Sequence, residues 1–138
     1  MLKELYIKNM AVIDELRLNF ENGFQVLTGE TGAGKTILVE AIGLILGGKV
    51  AKSLIRDGTD EAMVEASFDL QTSPNIKAWL KKEAFENDEN KNELIIKRVL
   101  STTNSNKIYL NHLRAKLSLL QKLAPLLVDF TGQHEQIK

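Results

Sequence analysis

Eight consecutive residues, Gly29, Glu30, Thr31, Gly32, Ala33, Gly34, Lys35 and Thr36, satisfy every fixed position of the pattern G-x-x-x-x-G-K-[ST]. The residue types suit the binding of a nucleotide triphosphate. Backbone N–H groups of a glycine-rich bend wrap phosphate oxygens, the lysine neutralises β/γ charge, and the threonine hydroxyl ligates Mg²⁺. Gly32 and Gly34 permit close approach of the backbone to phosphate. The bland alternative is a glycine-rich turn ahead of a buried helix.

The flanks must place that bend between a strand and a helix N-terminus. Phe24-Gln25-Val26-Leu27-Thr28 is a strand-like run that follows the turn Glu21-Asn22-Gly23. Downstream, Ile37 to Leu46 is almost wholly apolar, and Gly47-Gly48 supplies a stop. The helix N-terminus adds unpaired N–H groups and partial positive charge at the phosphates. With so little polar surface, the helix is expected to be covered on most sides, Glu40 excepted.

Composition sets the frame. With 138 residues the chain suits one domain with a real core. Lys+Arg and Asp+Glu are 18 each, so any nucleic-acid contact must come from a local patch or from parts of a larger protein rather than from bulk charge. Cysteine is absent, which excludes disulfides and thiolate metal sites and fits a reducing cytosol. No apolar run reaches the roughly 20 residues of a membrane span.

Along the chain, Leu2 to Lys8 alternates with Leu5 and Ile7 on one face and Glu4, Tyr6 and Lys8 on the other. Val12 to Phe20 alternates less cleanly, and the two predict an antiparallel pair joined near Asn9-Met10-Ala11. Lys49 to Glu61 reads as irregular, and Ala62 to Leu70 as a strand. Ser73-Pro74 opens a helix with Ile76, Trp79, Leu80 and Phe85 on its apolar stripe. Glu86 to Glu93 reads as a flexible loop, and Leu94–Leu100 with Lys107–Leu110 as a hairpin. Lys116 to Ala124 is helical in pattern, Pro125 ends it, and Leu126 to Phe130 reads as a buried strand. The expected class is α/β with a mixed sheet rich in antiparallel strands.

An ATPase built on this loop needs an acidic residue at the end of an apolar strand. Asp129 is the local candidate, either as that acid or as a capped or paired strand carboxylate. His112 and His134 stand too far apart, with no cysteine, to suggest a metal site; His134, beside Gln133, reads either as a residue near the active site or as a solvated loop histidine. The chain is expected to be the N-terminal part of something longer.

The opening LYIKNMAVIDELRLNFENGFQVLTGETGAGKTILVEAIGLILGG resembles the N-terminus of bacterial DNA-repair proteins of the RecN family, SMC-like members of the ABC-type ATPases. The ending DFTGQHEQ resembles that family's glutamine loop. The Gly-Glu-Thr-Gly-Ala-Gly-Lys-Thr loop separates this group from SMC and RecF proteins, which usually read Gly-x-Asn-Gly-x-Gly-Lys. The resemblance implies a P-loop fold, here residues 1–138 as the N-terminal lobe of a split ATPase head, with a coiled coil after 138. A C-terminal lobe would bring the remaining catalytic motifs.

It further implies ATP and Mg²⁺ as ligands, with Gly29 to Thr36 at the phosphates, Thr36 and Gln133 on Mg²⁺, and Lys35 and Gln133 in catalytic positions. Asn9 matches an asparagine found near the nucleotide. Arg56 matches a basic residue linked to DNA or nucleotide contact, or is a plain surface arginine. The implied partners are the C-terminal lobe and coiled coil, a second head forming a homodimer, and DNA. The implied place is the cytoplasm, at the nucleoid and not in a membrane. Hydrolysis is expected to need the missing lobe. Alternatives are a RecF-type or chromosome-segregation SMC head, a small P-loop kinase, and a scaffold that binds no nucleotide.

Overall fold

The structure, a computed structural model, describes residues 2–20 and 32–131, and only the backbone at 32–35 and 128–131. Six strands form one sheet: β1 (Leu2–Met10), β2 (Ile13–Asn19), β3 (Glu61–Asp69), β4 (Glu93–Ser101), β5 (Lys107–Leu110) and β6 (Leu113–Ala115), in the order β2-β1-β3-β4-β5-β6. Every described pair is antiparallel. The expected strand Phe24–Thr28 lies outside the described residues.

Period-two patterning decides which face is covered. Val64, Ala66 and Phe68 on β3, and Leu94, Ile96, Arg98 and Leu100 on β4, are buried, and the alternate residues between them are not. The opposite face carries one cross-strand row through all six strands: Arg17, Tyr6, Glu65, Lys97, Tyr109 and Arg114. Within it the Arg17 guanidinium stands 4.5 Å from the Tyr6 ring centre, and Lys97 and Arg114 flank Tyr109 at 5.4 and 5.7 Å. Such cross-strand cation–ring pairs let a polar face add to sheet stability.

Three helices accompany the sheet: α1 (Gly32–Ile45), α2 (Pro74–Lys82) and α3 (Leu117–Thr131). Ile37, Leu38, Ala41, Leu44 and Ile45 of α1 join the sheet's buried face and Leu120, Leu123 and Leu127 of α3 in one core. Each large aliphatic side chain so buried contributes about 2 kcal/mol of transfer free energy. The outer side of α1 is open among the described residues, with Val39 68% exposed and Glu40 also exposed, so the expectation of cover on most sides is met on one side only.

Two further expectations change. Leu126–Phe130 is not a strand; it is the continuation of α3 through Pro125. The buried leucines at 120, 123 and 127 keep helical spacing across the proline, and Pro125 itself is exposed. Packing of that stripe overrides the lost N–H, a local cost of about 3 kcal/mol. The loop 86–92 is organised by its own side chains. Asn87 Oδ1 accepts from the N–H of Glu89 (2.9 Å) and Asn90 (3.2 Å), and Asn90 Oδ1 accepts from Asn92 N–H (2.9 Å).

Candidate nucleotide site on the phosphate-loop helix

The helix begins inside the phosphate-loop motif. Gly32, Ala33, Gly34 and Lys35 form the first turn of α1, and Thr36 follows at the surface. The first four N–H groups of an α-helix have no partner within it, so the backbone at Gly32–Lys35 presents donors and partial positive charge where the motif requires them. Gly29, Glu30 and Thr31 lie outside the described residues, as does Gln133. The residue set suits a triphosphate with Mg²⁺: main-chain N–H groups, the single lysine Lys35 and the hydroxyl of Thr36 within eight residues.

The other end of α1 is held by three independent devices. Gly48 N–H donates to Gly43 O (2.8 Å) and Gly47 N–H to Leu44 O (3.1 Å), with Gly47 at φ +92°. That is the double reversal by which helices end on a left-handed residue. A Cβ on Gly48 would stand 2.8 Å from the Gly43 carbonyl oxygen, so the turn needs glycine there for space. Gln121 of α3 donates Nε2 to Gly47 O (3.3 Å).

Arg98 of β4 supplies the third. It occupies an inward position between Ile96 and Leu100 and is 4% exposed. Its Nη1 donates to Leu44 O (2.9 Å) and Gly48 O (2.6 Å). A cation at a helix C-terminus complements the dipole there, and burial strengthens the bond while opposing the charge. Burial correspondingly pulls the Arg98 pKa down from the ordinary arginine range. The arginine thus fixes α1 to the sheet at the end remote from the phosphate loop. Sequence reasoning missed it; the one available signal is an arginine interrupting an apolar alternation.

Asn9 and Arg56, 47 positions apart in sequence, are brought together. Arg56 N–H donates to Asn9 O (2.9 Å), Ala11 N–H to Leu54 O (2.7 Å), and Met10 bridges Ile55. Arg56 Nη1 also donates to Val12 O (2.8 Å). Asn9 has φ +54°, which asparagine tolerates better than most residues. The kink breaks the two-residue period, so Ile7 and Met10 both point inward. Arg56 lines an open groove of about 600 Å³ together with Ala11, Val12, Ser53, Ile55 and Asp57.

Other sequence candidates sit elsewhere. Asp129 lies in α3, not at a strand end, which removes the basis for reading it as the strand-borne acid. His112 is exposed at φ +72° in the two-residue turn that joins β5 to β6, a strand that patterning did not foresee. His134 lies outside the described residues. No group of three or more metal-ligating side chains occurs among the described residues.

Comparison with known proteins agrees with this geometry. A family model described as "AAA domain" matches residues 4–129. "DNA repair protein RecN" of Haemophilus influenzae is 34% identical over 134 residues, covering 97% of this chain and 24% of that protein. The Vibrio cholerae protein of the same name is 39% identical, with the same coverage of each chain. The chain thus spans about a quarter of the length of the curated relatives it matches. Among solved structures, "SMC head domain from Thermotoga maritima" superposes with a TM-score of 0.59 at 22% identity, covering 88% of this chain and 41% of that one. A chain from "Structural biochemistry of ATP-driven dimerization and DNA stimulated activation of SMC ATPases" gives 0.67 at 21% identity, covering 91% and 78%. These likenesses show that the chain shares the fold of SMC head domains. By the match over residues 4–129, the chain belongs to the AAA domain family.

Proposed function

We propose that the chain is the ATP-binding N-terminal lobe of the ATPase head of a RecN-type DNA double-strand-break repair protein. The observation that carries the reading is the placement of Gly32–Lys35 as the first turn of a helix whose opposite end is tied to the sheet by Arg98. Main-chain donors that are fixed before the ligand arrives bind it without an ordering cost. Lys35 would neutralise β/γ-phosphate charge. Thr36, with Gln133, would hold Mg²⁺, whose chemistry is to bridge and neutralise phosphate oxygens. Asn9 and Arg56 would border the nucleotide from the hairpin side.

The C-terminal lobe, the coiled coil after residue 138, a second head and DNA are the partners proposed for the whole protein. In it, nucleotide binding would close two heads and hydrolysis release them. Positioning and charge neutralisation provide most of phosphoryl-transfer catalysis, so a lobe without the partner motifs should bind nucleotide with little turnover. The RecN-named relatives at 31–40% identity favour this reading over a RecF-type or SMC head, whose solved examples stand at 17–22%. A self-sufficient small kinase gains no support.

Equilibrium titration with a fluorescent ATP analogue tests the proposal. Saturable, Mg²⁺-dependent binding that Lys35→Ala abolishes is expected. Binding indifferent to Lys35→Ala, or steady-state hydrolysis by the chain above about 1 s⁻¹, the low end of common enzyme rates, would contradict it.

A further inference from the structure

The two ends of the cross-strand row carry the same stack and answer its charge differently. At β2, Arg17 stacks on Tyr6 and its guanidinium pairs with Glu4 at 2.8 Å. At β6, Arg114 stacks on Tyr109, and no described carboxylate pairs with it. The surrounding sequence explains the lack. Residues 94–128 hold Lys97, Arg98, Lys107, Arg114, Lys116 and Lys122 and no acidic residue, in a chain of zero net charge.

The backbone of β6 is open at the same place. Asn111 and His112, both at positive φ, form a two-residue turn, which makes Leu110 and Leu113 the hydrogen-bonded pair that closes the hairpin. Bonded and non-bonded pairs alternate along an antiparallel ladder, so Tyr109 and Arg114 form a non-bonded pair. The N–H and C=O of Arg114 therefore point away from β5, and no described group meets them. Beside them, on the core side of the sheet, Leu113 is 48% exposed and Leu117 39%. A cleft of about 560 Å³ lies there, with Val50, Ile108, Ala115 and Leu117 in its lining.

A short, cationic edge strand is a common defence against aggregation. It repels a second copy of this chain, which would set Arg114 against Arg114. It does not repel an acidic strand, and defence alone gives no use to exposed leucines on the core side. We infer that the β6 edge takes an extended segment of a partner protein as a further antiparallel strand, with the pattern apolar–acidic–apolar. The acidic residue lies opposite Arg114. Its N–H and C=O bond to those of Arg114, and its carboxylate accepts from the guanidinium. Successive side chains of a strand alternate faces, so both apolar neighbours turn to the core side. One covers Leu113, and the other lies opposite Ala115 and enters the cleft beside Leu117. A phosphodiester chain offers neither the alternating amides nor the apolar side chains that this edge fits. Nothing in the fit depends on nucleotide at the phosphate loop.

Fluorescence anisotropy with labelled peptides tests the proposal. Thr-Val-Glu-Val-Thr should bind saturably. Val-Thr-Glu-Thr-Val, of the same composition but with its apolar residues on the acid's own face, should bind about ten-fold or more weakly, having lost two apolar contacts. N-methylation of the glutamate removes the N–H that pairs with Arg114 O and should cost about ten-fold. N-methylation of the valine after it, whose N–H points away from β6, should be tolerated. Arg114→Glu should abolish binding. Lys122→Glu, the same charge change within the same basic run, should keep it. Circular dichroism reports whether the variants fold; if Arg114→Glu does not, the two methylated peptides decide.

No saturation by about 1 mM of the first peptide, the weak end of specific affinities, overturns the proposal. Equal binding of the two sequences, or indifference to methylation at the glutamate, overturns strand addition. Binding that survives in folded Arg114→Glu overturns the charge pairing. Duplex DNA that binds through Arg114 where neither peptide does assigns the edge to nucleic acid and overturns the peptide reading.

Discussion

The C-terminal ends of α1 and α2 share one geometry and differ in how firmly it is held. At α2, Phe85 N–H donates to Leu80 O (2.8 Å) and Ala84 N–H to Lys81 O (3.3 Å), the same pair of reversed bonds that Gly48 and Gly47 make at α1. The left-handed residue at α2 is Ala84, at φ +65°, a conformation that costs an L-residue about 1 kcal/mol or more. At α1 it is glycine, and Arg98 and Gln121 add side-chain donors from two other elements. Helix α2 only covers the core with Ile76 and Leu80, and one strained stop suffices. Helix α1 carries the phosphate loop at its other end, and its position is specified several times over.

The comparison can be broken at its strongest point. Arg98→Ala removes the side-chain donor to Gly48 O and one of the two donors to Leu44 O, and should destabilise the chain by about 2 kcal/mol in urea unfolding. An unchanged denaturation midpoint would mean the arginine anchors nothing. A milder break is Gly47→Ala. It forces alanine to φ +92° with its Cβ 3.0 Å from Gln121 Cγ and should cost about 1–2 kcal/mol. The smallest effect sharpens the contrast in the opposite direction. Ala84→Gly relieves the strain at α2 and should stabilise by about 0.5–1 kcal/mol, raising the melting temperature. A loss of stability there would show that α2 does not end as described.

The two helix ends also mark what could be read from the residues alone. The phosphate-loop motif, Gly47-Gly48 as a stop, and the alternation of β3 and β4 are local patterns, and each was legible. Arg98 was not, because its partners Leu44 and Gly48 lie 54 and 50 positions away and no local period encodes them. Pro125 misled for the converse reason. A strong local stop signal was overridden by the packing of Leu120, Leu123 and Leu127, which only the assembled core imposes. The strand β6 has three residues, too few for alternation to register; it follows from the Asn111-His112 turn, where both residues take positive φ. The pairing of Asn9 with Arg56 joined two residues that resemblance had singled out separately.

The central claim is that amides at the start of α1 form the triphosphate cradle. Backbone amide chemical shifts of the isotopically labelled chain, followed as Mg²⁺ and a non-hydrolysable ATP analogue are added, test it most directly. The account predicts that the largest shifts fall between Gly29 and Thr36, with smaller ones at Asn9 and Arg56 and at the Gly47-Gly48 end. Saturating perturbation confined to other surfaces, with the Gly29–Thr36 amides unmoved, would contradict it.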